Sequence, residues 1–401
     1  MPLLPAALKQ RAVRRADKSR AHPFTMNPLH GRQMSVFLGI VLVASEPLSA
    51  AEAPTATQGA GVTHRVQSDF EGLFASDLQL TQSSIAYGQK RGRFEFNLSG
   101  AYNTFDLDYR PVSFDFLGTP SHVDERSVAT QLGLQAKPID SLTLQIGSGL
   151  YNGYTDYRSA WLNEYYRQQF SGVTDSTDVY VKPSPHGENV NFGLRWEYLP
   201  TLGFVQGDFS YLHNQIAPGY EIDFAGLRRG RPNLYTATYH IAFENVLTRR
   251  IRLLNEFRLT DTTNREQRYG YQGSVNIALG EKTVVRGFGG YTQERPSFQG
   301  HYFGGTIEYE PAAGWLLSAS GRYYRDTGEI ENSLFSSAAP GLDAWQVGIG
   351  VRRIWGIHSV KLFLAPYFTH YQPAGIGTAF FQNLYRDRTW GLVQLAYHAE
   401  L

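Results

Sequence analysis

From residue 93 onward, large apolar residues recur at every second position, the period of a β-strand with two different faces. Phe94, Phe96, Leu98 and Tyr102 alternate with Glu95, Asn97, Ser99 and Ala101, and Val190, Phe192, Leu194, Trp196 and Tyr198 alternate with Asn191, Gly193, Arg195 and Glu197. Tyr239, Ile241 and Phe243 set against His240 and Glu244 repeat the pattern, as do Trp345, Val347, Ile349 and Val351. The alternation predicts fourteen strands: 93–109, 125–138, 142–157, 188–200, 203–215, 234–247, 251–262, 267–280, 282–295, 300–311, 314–326, 343–354, 358–371 and 388–401. Each is about 11–17 residues, longer than the five or six usual in soluble sheets. A tilted strand needs about 9–11 residues to cross a bilayer, so these lengths fit membrane hairpins that rise beyond the lipid.

The connections alternate short and long. Tight turns are predicted at 138–141, 200–202, 247–250, 280–281, 311–313 and 355–357, and longer links near 110–124, 158–187, 216–233, 263–266, 296–299, 327–342 and 372–387. Turns on one side and loops on the other are the signature of a barrel held in one orientation. A further strand-like stretch, Leu78 to Gly88, falls outside this scheme, because a fifteenth strand would bring the N-terminus out on the loop side. Residues 52–92 are therefore read as an N-terminal periplasmic segment or a plug in the lumen, and 93–401 as the barrel.

Residues 1–51 read as a basic leader and signal peptide. Basic residues up to Arg32 precede the apolar run Val36 to Ala44 and the small residues before Ala51, which is the expected order for secretion. Met26 and Met34 are alternative starts. Removing residues 1–51 takes away 7 of the 37 basic and 2 of the 36 acidic side chains, leaving a net charge of −4. That balance offers no polybasic face for nucleic acid. No later stretch reaches 18 uninterrupted apolar residues, so no membrane-spanning helix is predicted. The mean hydropathy of −0.33 hides the alternation, because lipid-facing and lumen-facing residues cancel in an average.

Composition narrows the chemistry. With no Cys, the chain has no disulfide scaffold, thiolate-held metal or thiol nucleophile. Aromatics are 14% of residues and there are 40 glycines, while charged residues are only 18%. The signal peptide, the absence of Cys, the long amphipathic hairpins and a strand at the chain end, Thr389 to Leu401, resemble a Gram-negative outer-membrane β-barrel. The likeness covers 93–401 and lies in architecture; the strand number resembles some monomeric porins and FadL-type channels for hydrophobic compounds. It departs from them at the terminal residue, Leu401, where such barrels tend to end on Phe or Trp. The resemblance implies residence in the cell outer membrane, contact with its lipid and lipopolysaccharide, and passage by the Sec translocon and the barrel-assembly machinery. It also implies a monomer. A segment placed in the lumen, as in FadL-type channels, is what makes 52–92 a plug candidate.

The polar face of each strand gives the pore-lining candidates. The acids are Glu95, Glu197, Asp208, Glu244, Glu256 and Glu308; the bases are Arg195, Arg252, Arg258, Arg286, Arg322, Arg352 and Lys361. On the lipid face such charges would cost roughly 2–4 kcal/mol each at mid-bilayer, so they are expected to point inward. The mixed signs suggest paired charges around a hydrated interior, rather than the one-sign ring of a strong ion selector. Phe288, Phe363 and Tyr367 fall on the same inward register, which means either a register slip or an apolar stripe in the lumen. Aromatics near strand ends (Tyr109, Trp196, Tyr198, Tyr269, Tyr291, Tyr323, Tyr324, Trp355, Trp390, Tyr397) suit the headgroup level. In the longest link, Trp161, Tyr165, Tyr166 and Arg167 have helix-like spacing and are candidates for a loop that narrows the pore or caps it outside. Arg228, Arg229 and Arg231 are placed to meet lipopolysaccharide phosphates.

Signals for catalysis are poor. His213 lies near a strand end, but the nearest serine is Ser210, three residues before it. His370 and Ser359 are isolated, and Asp106 and Asp108 share a face without an evident histidine partner. No metal-ligand spacing, phosphate loop or dinucleotide fingerprint appears, and no cofactor is implied. The reading is an outer-membrane channel or transporter for passive or facilitated passage of small solutes. The alternatives are a structural or adhesive surface protein whose barrel is filled by side chains, and a membrane-embedded lipid hydrolase.

Overall fold

The computed structural model describes residues 62–109, 121–155, 160, 184–217, 221–222, 228–229, 233–263, 265–296, 298–330, 338–372 and 385–401. The strands are β1 (Val62–Phe74), β2 (Leu78–Arg91), β3 (Phe94–Tyr109), β4 (Ser121–Ile139), β5 (Leu142–Gly153), β6 (Ser184–Leu199) and β7 (Gly203–Ala217). After them come β8 (Glu221–Ile222), β9 (Arg228–Arg229), β10 (Leu234–Thr248), β11 (Ile251–Thr262), β12 (Arg268–Ala278), β13 (Thr283–Glu294) and β14 (Phe298–Ala312). The chain finishes with β15 (Trp315–Asp326), β16 (Gly328–Ile330), β17 (Ala338–Pro340), β18 (Leu342–Trp355), β19 (His358–Tyr371) and β20 (Arg388–Glu400). Sixteen of these close into one barrel in chain order, while β8–β9 and β16–β17 are two-stranded hairpins inside long connections.

The count of about fourteen is thus corrected to sixteen. The two additional strands, β1 and β2, lie within 52–92, the segment first read as a periplasmic tail or plug. Leu78 to Gly88 is indeed a strand, and β1 supplies its missing partner, so two strands are added and the N-terminal end of the wall stays on the short-turn side. β1 escaped the alternation because its outward positions include His64, Ser68 and Gly72 among Val66, Phe70 and Phe74. It closes the barrel by pairing with β20 from Arg65↔Glu400 to Phe74↔Gly391, and His64 and Leu401 exchange backbone hydrogen bonds of 2.8 and 2.7 Å.

Every neighbouring pair in the wall is antiparallel, so directly opposed residues share a face. The outward set is large, apolar and exposed: Leu98, Leu132, Ile146, Leu194, Ile241, Phe257, Ile307 and Ile349 all belong to it. A 12-residue strand at about 3.3 Å per residue and a tilt near 40° rises about 30 Å, the thickness of a hydrocarbon core. Near the short-turn rim, outward rings and polar tips pair, as in His64 Nδ1 with the Tyr87 hydroxyl (2.6 Å) and His358 Nδ1 with the Tyr397 hydroxyl (2.9 Å). Four register shifts, at Val246/Thr248, Tyr309/Ala312, Ala136/Ile139 and Trp196/Leu199, all lie at this rim, where bulges help a sheet bend into its turns. The tight link between β18 and β19 needs Gly356 at φ 54°, a left-handed conformation that side chains disfavour.

The packed core is on the inside of the barrel, toward the long-loop end. It includes Leu73, Leu78, Leu80, Phe105, Leu107, Tyr302, Tyr324, Phe363, Tyr367, Trp390 and Leu392, with Tyr154, Ala160 and Tyr385 from the loops packed among them.

Candidate functional site in the barrel lumen

Twelve of the thirteen candidate pore-lining charges, all but Glu197, follow the inward register. Glu197 lies just past the bulge at Trp196/Leu199 and reaches Arg195 at 3.7 Å. Glu95 receives Arg65 at 2.7 Å, Glu244 pairs with Arg252 at 3.3 Å, and Arg195 sits 3.7 Å over the Phe204 ring. Arg352 opposes Lys361 across β18 and β19 and donates to Ser359 Oγ at 3.2 Å. Lys361 lies within electrostatic reach of Glu308 and Asp69. Arg286 faces Asn276 and Thr306 on its neighbouring strands.

The closest grouping is on β7, β10 and β11. His240 Nδ1 lies 2.9 Å from Asp208 Oδ2, and its Nε2 lies 3.2 Å from Glu256 Oε1. Gln206 adds two donated bonds to Asp208 at 3.0 and 2.9 Å, and Arg258 stands opposite His240 in the register. On the far wall, Arg322 and Glu71 interact electrostatically although β18, β19 and β20 separate their strands, so the interaction runs through the lumen, not along the wall. Gln394 donates to Glu71 Oε2 at 2.6 Å.

The lumen groups that sequence reasoning missed include four near the barrel's interior clusters. Arg65, Asp69 and Glu71 belong to β1, which was not recognised as wall, and His240 was passed over because only formal charges were counted. Their inward parity in the strand pattern was the signal that would have found them. Phe288, Phe363 and Tyr367 do point inward, with no register slip in the β18–β19 or β13–β14 ladders, so the lumen carries an apolar stripe. Tyr324 and Trp390, read as headgroup aromatics, are instead inward and buried, and Trp390 Nε1 donates to Thr369 Oγ1 at 3.0 Å. Trp161, Tyr165, Tyr166, Arg167 and Arg231 lie outside the described residues, as does the leader 1–51.

The hydrolase constellation does not assemble. Ser210 is inward and buried, whereas His213 lies on the opposite face of β7, stacked on Tyr235 at 4.5 Å and 3.3 Å from Glu188. The structure does supply a histidine for Asp106 and Asp108: His122 lies 3.6 and 3.1 Å from them on the outer face near the long-loop end. His370 meets Asp387 at 2.6 Å.

No protein-family model matches the chain, and neither does any curated protein sequence. Solved structures are similar to it in architecture. CdiB from Acinetobacter baumannii aligns with a TM-score of 0.48 at 10% identity over 85% of this chain, which spans 60% of that protein. A bacterial polysaccharide outer-membrane secretin aligns with a TM-score of 0.48 at 8% identity, over 85% of this chain and 99% of its own. The toluene transporter TodX of Pseudomonas putida aligns with a TM-score of 0.42 at 9% identity, over 85% and 90%. The chain has the fold of an outer-membrane β-barrel. That statement rests on its own closed sheet, its apolar outer face and the charges turned inside.

Proposed function

We propose that the chain is an outer-membrane channel for passive or facilitated passage of small solutes, and not an enzyme. The carrying observation is the two-sided lumen: charged groups centred on Asp208, His240 and Glu256, with an apolar collar at the long-loop mouth. The paired charges keep water in the interior without a strong field of one sign. The collar, packed with Tyr154 and Tyr385, is a natural place for loops to set the opening. In this reading the twelve inward charges line the pore, with Glu197 at its rim, the outer face meets lipid, and the rim meets lipopolysaccharide. The protein works as a monomer delivered by the Sec translocon and the barrel-assembly machinery.

Planar-bilayer recording tests the proposal. Purified, folded protein is expected to give discrete single-channel steps in potassium chloride. A protein that folds and inserts but never conducts would instead be a structural barrel filled by its side chains, a reading that the half-buried Arg322 and Glu71, facing each other through the lumen, would then support.

A further inference from the structure

The lumen charges are not spread evenly. On β2 to β6 the middle of the inward face carries no charged side chain: Lys90, Glu95 and Arg195 lie toward the short turns and Glu125 toward the long loops. Elsewhere, β1, β7, β11 and β15 carry inward charges near mid-strand, Asp69, Asp208, Glu256 and Arg322. What fills the middle of the β2–β6 arc is amide and hydroxyl: Asn97, Gln131, Gln135, Gln145, Asn189 and Asn191 dominate it. Gln145 Nε2 donates to Gln135 Oε1 at 2.7 Å, and the buried pair Asn103 and Ser127 is joined at 3.0 Å. Arg65 reaches in from β1 to Asn97 Oδ1 at 3.1 Å.

The glycines of this arc keep the amides flat against the wall. A Cβ on Gly147 would meet Asn191 Nδ2 at 2.6 Å, and one on Gly149 would meet Asn189 Nδ2 at 2.9 Å. Each asparagine therefore lies over the glycine opposite it, and the partly exposed Asn97, Gln131 and Gln145 are the amides that meet the lumen. The Oδ1 atoms of Asn103 and Asn189 are buried and have no hydrogen-bond partner. Part of this wall forms a hollow of about 200 Å³ that includes Asn97, Gln131, Gln145 and Asn191. Eight positions around the closed sheet from β4 stands β14, whose Tyr302 ring lies beside Phe288 at 6.4 Å and whose hydroxyl is anchored on Gln272.

We infer that the β2–β6 wall is a binding track for an uncharged, polyhydroxylated solute such as a short oligosaccharide, an inference that rests on the channel reading above. A carboxamide presents one donor edge and one acceptor atom side by side, which matches adjacent hydroxyls that each donate and accept. The charges beside the amides, Arg65 and Glu95, pair with each other at 2.7 Å, so the track has no unbalanced charge to hold an ion of either sign. Across the lumen, the partly exposed Phe288, backed by Tyr302, offers a ring to the apolar face of a sugar.

The test is single-channel recording of the full chain with maltotriose added. The unmodified channel is expected to show current block that rises with sugar concentration. In Gln131→Leu/Gln145→Leu, both at partly exposed positions, the half-blocking concentration is expected to rise about tenfold, as for two lost hydrogen bonds, with potassium chloride conductance unchanged. Asn97→Leu/Gln131→Leu provides a second route to the same shift. Conductance without any sugar block, or block equal in the unmodified channel and whichever variant folds, overturns the binding track and leaves the channel standing. No conductance at all overturns the channel reading itself.

Discussion

Arg388, the first residue of the last barrel strand, holds Asp77 in the turn between β1 and β2, Nη2 to Oδ2 at 2.9 Å. The two are 311 positions apart in the chain and meet because β1 and β20 close the wall. Arg386 adds a second bond to Asp77 at 2.7 Å. The Arg388 side chain is 2% exposed, and this carboxylate is one of the groups that offset its buried charge. Asp77→Asn removes that carboxylate, and a loss of about 3 kcal/mol follows from taking one charged partner from a buried pair. The expected result is a lower temperature for loss of the heat-modifiable band on gels, with Arg388→Met partly restoring the Asp77→Asn background.

The same pair sets a pH dependence. Burial pushes the Asp77 carboxyl up, but hydrogen bonds and charge from Arg388 and Arg386 outweigh it and hold the group below the ordinary aspartate value. A depressed carboxyl contributes stability that is present above the unfolded value, about 4, and is lost as pH falls through the lower folded value. The melting temperature in detergent is therefore expected to fall more steeply below about pH 4 in the unmodified protein than in Asp77→Asn. Parallel curves would refute the assignment.

Deleting 62–91 separates a wall segment from a plug. As β1 and β2, these residues pair with β20 on one side and β3 on the other. Their removal exposes two edges, which a membrane barrel does not tolerate. The deletion is expected to abolish the heat-modifiable form. A folded product with larger conductance would mean that the segment fills the lumen.

Most of the wall could be read from the sequence because a lipid-facing residue has no partner but lipid, so alternation is enforced wherever a strand crosses. Ile241, Leu194 and Ile349 mark their strands for that reason. β1 was hidden because its outward His64 is paired with Tyr87, a tolerated rim contact that breaks the apolar pattern. The charged lumen positions followed from parity alone. Their partners did not: the His240 bridge between Asp208 and Glu256 depends on the register of three strands. Tyr324 and Trp390 were misread because an aromatic near a strand end fits either the headgroup level or an inner collar, and only parity tells them apart.

His240 bridges two lumen carboxylates, Asp208 and Glu256, and Gln206 donates to Asp208 beside it. His240→Ala removes the imidazole from between them. The variant is expected to shift the zero-current potential in a salt gradient toward cation preference, with little change in conductance, because a carboxylate pair without its imidazole draws cations. The double variant Asp208→Asn/Glu256→Gln should move the potential the opposite way. An unchanged potential in both would place this cluster away from the ion path.

Ile349 lies at the middle of β18, 68% exposed on the outer face, between the inward Gly348 and Gly350. If that face meets lipid, Ile349→Arg must bury a charge at mid-bilayer, at a cost of about 2–4 kcal/mol. In a soluble sheet the same change at an exposed site would cost almost nothing. Unfolding of bilayer-inserted protein in guanidinium is expected to show the full loss for Ile349→Arg and a near-neutral effect for Ile349→Val. A neutral Ile349→Arg would remove lipid from the outer face and, with it, the membrane setting on which the channel proposal rests.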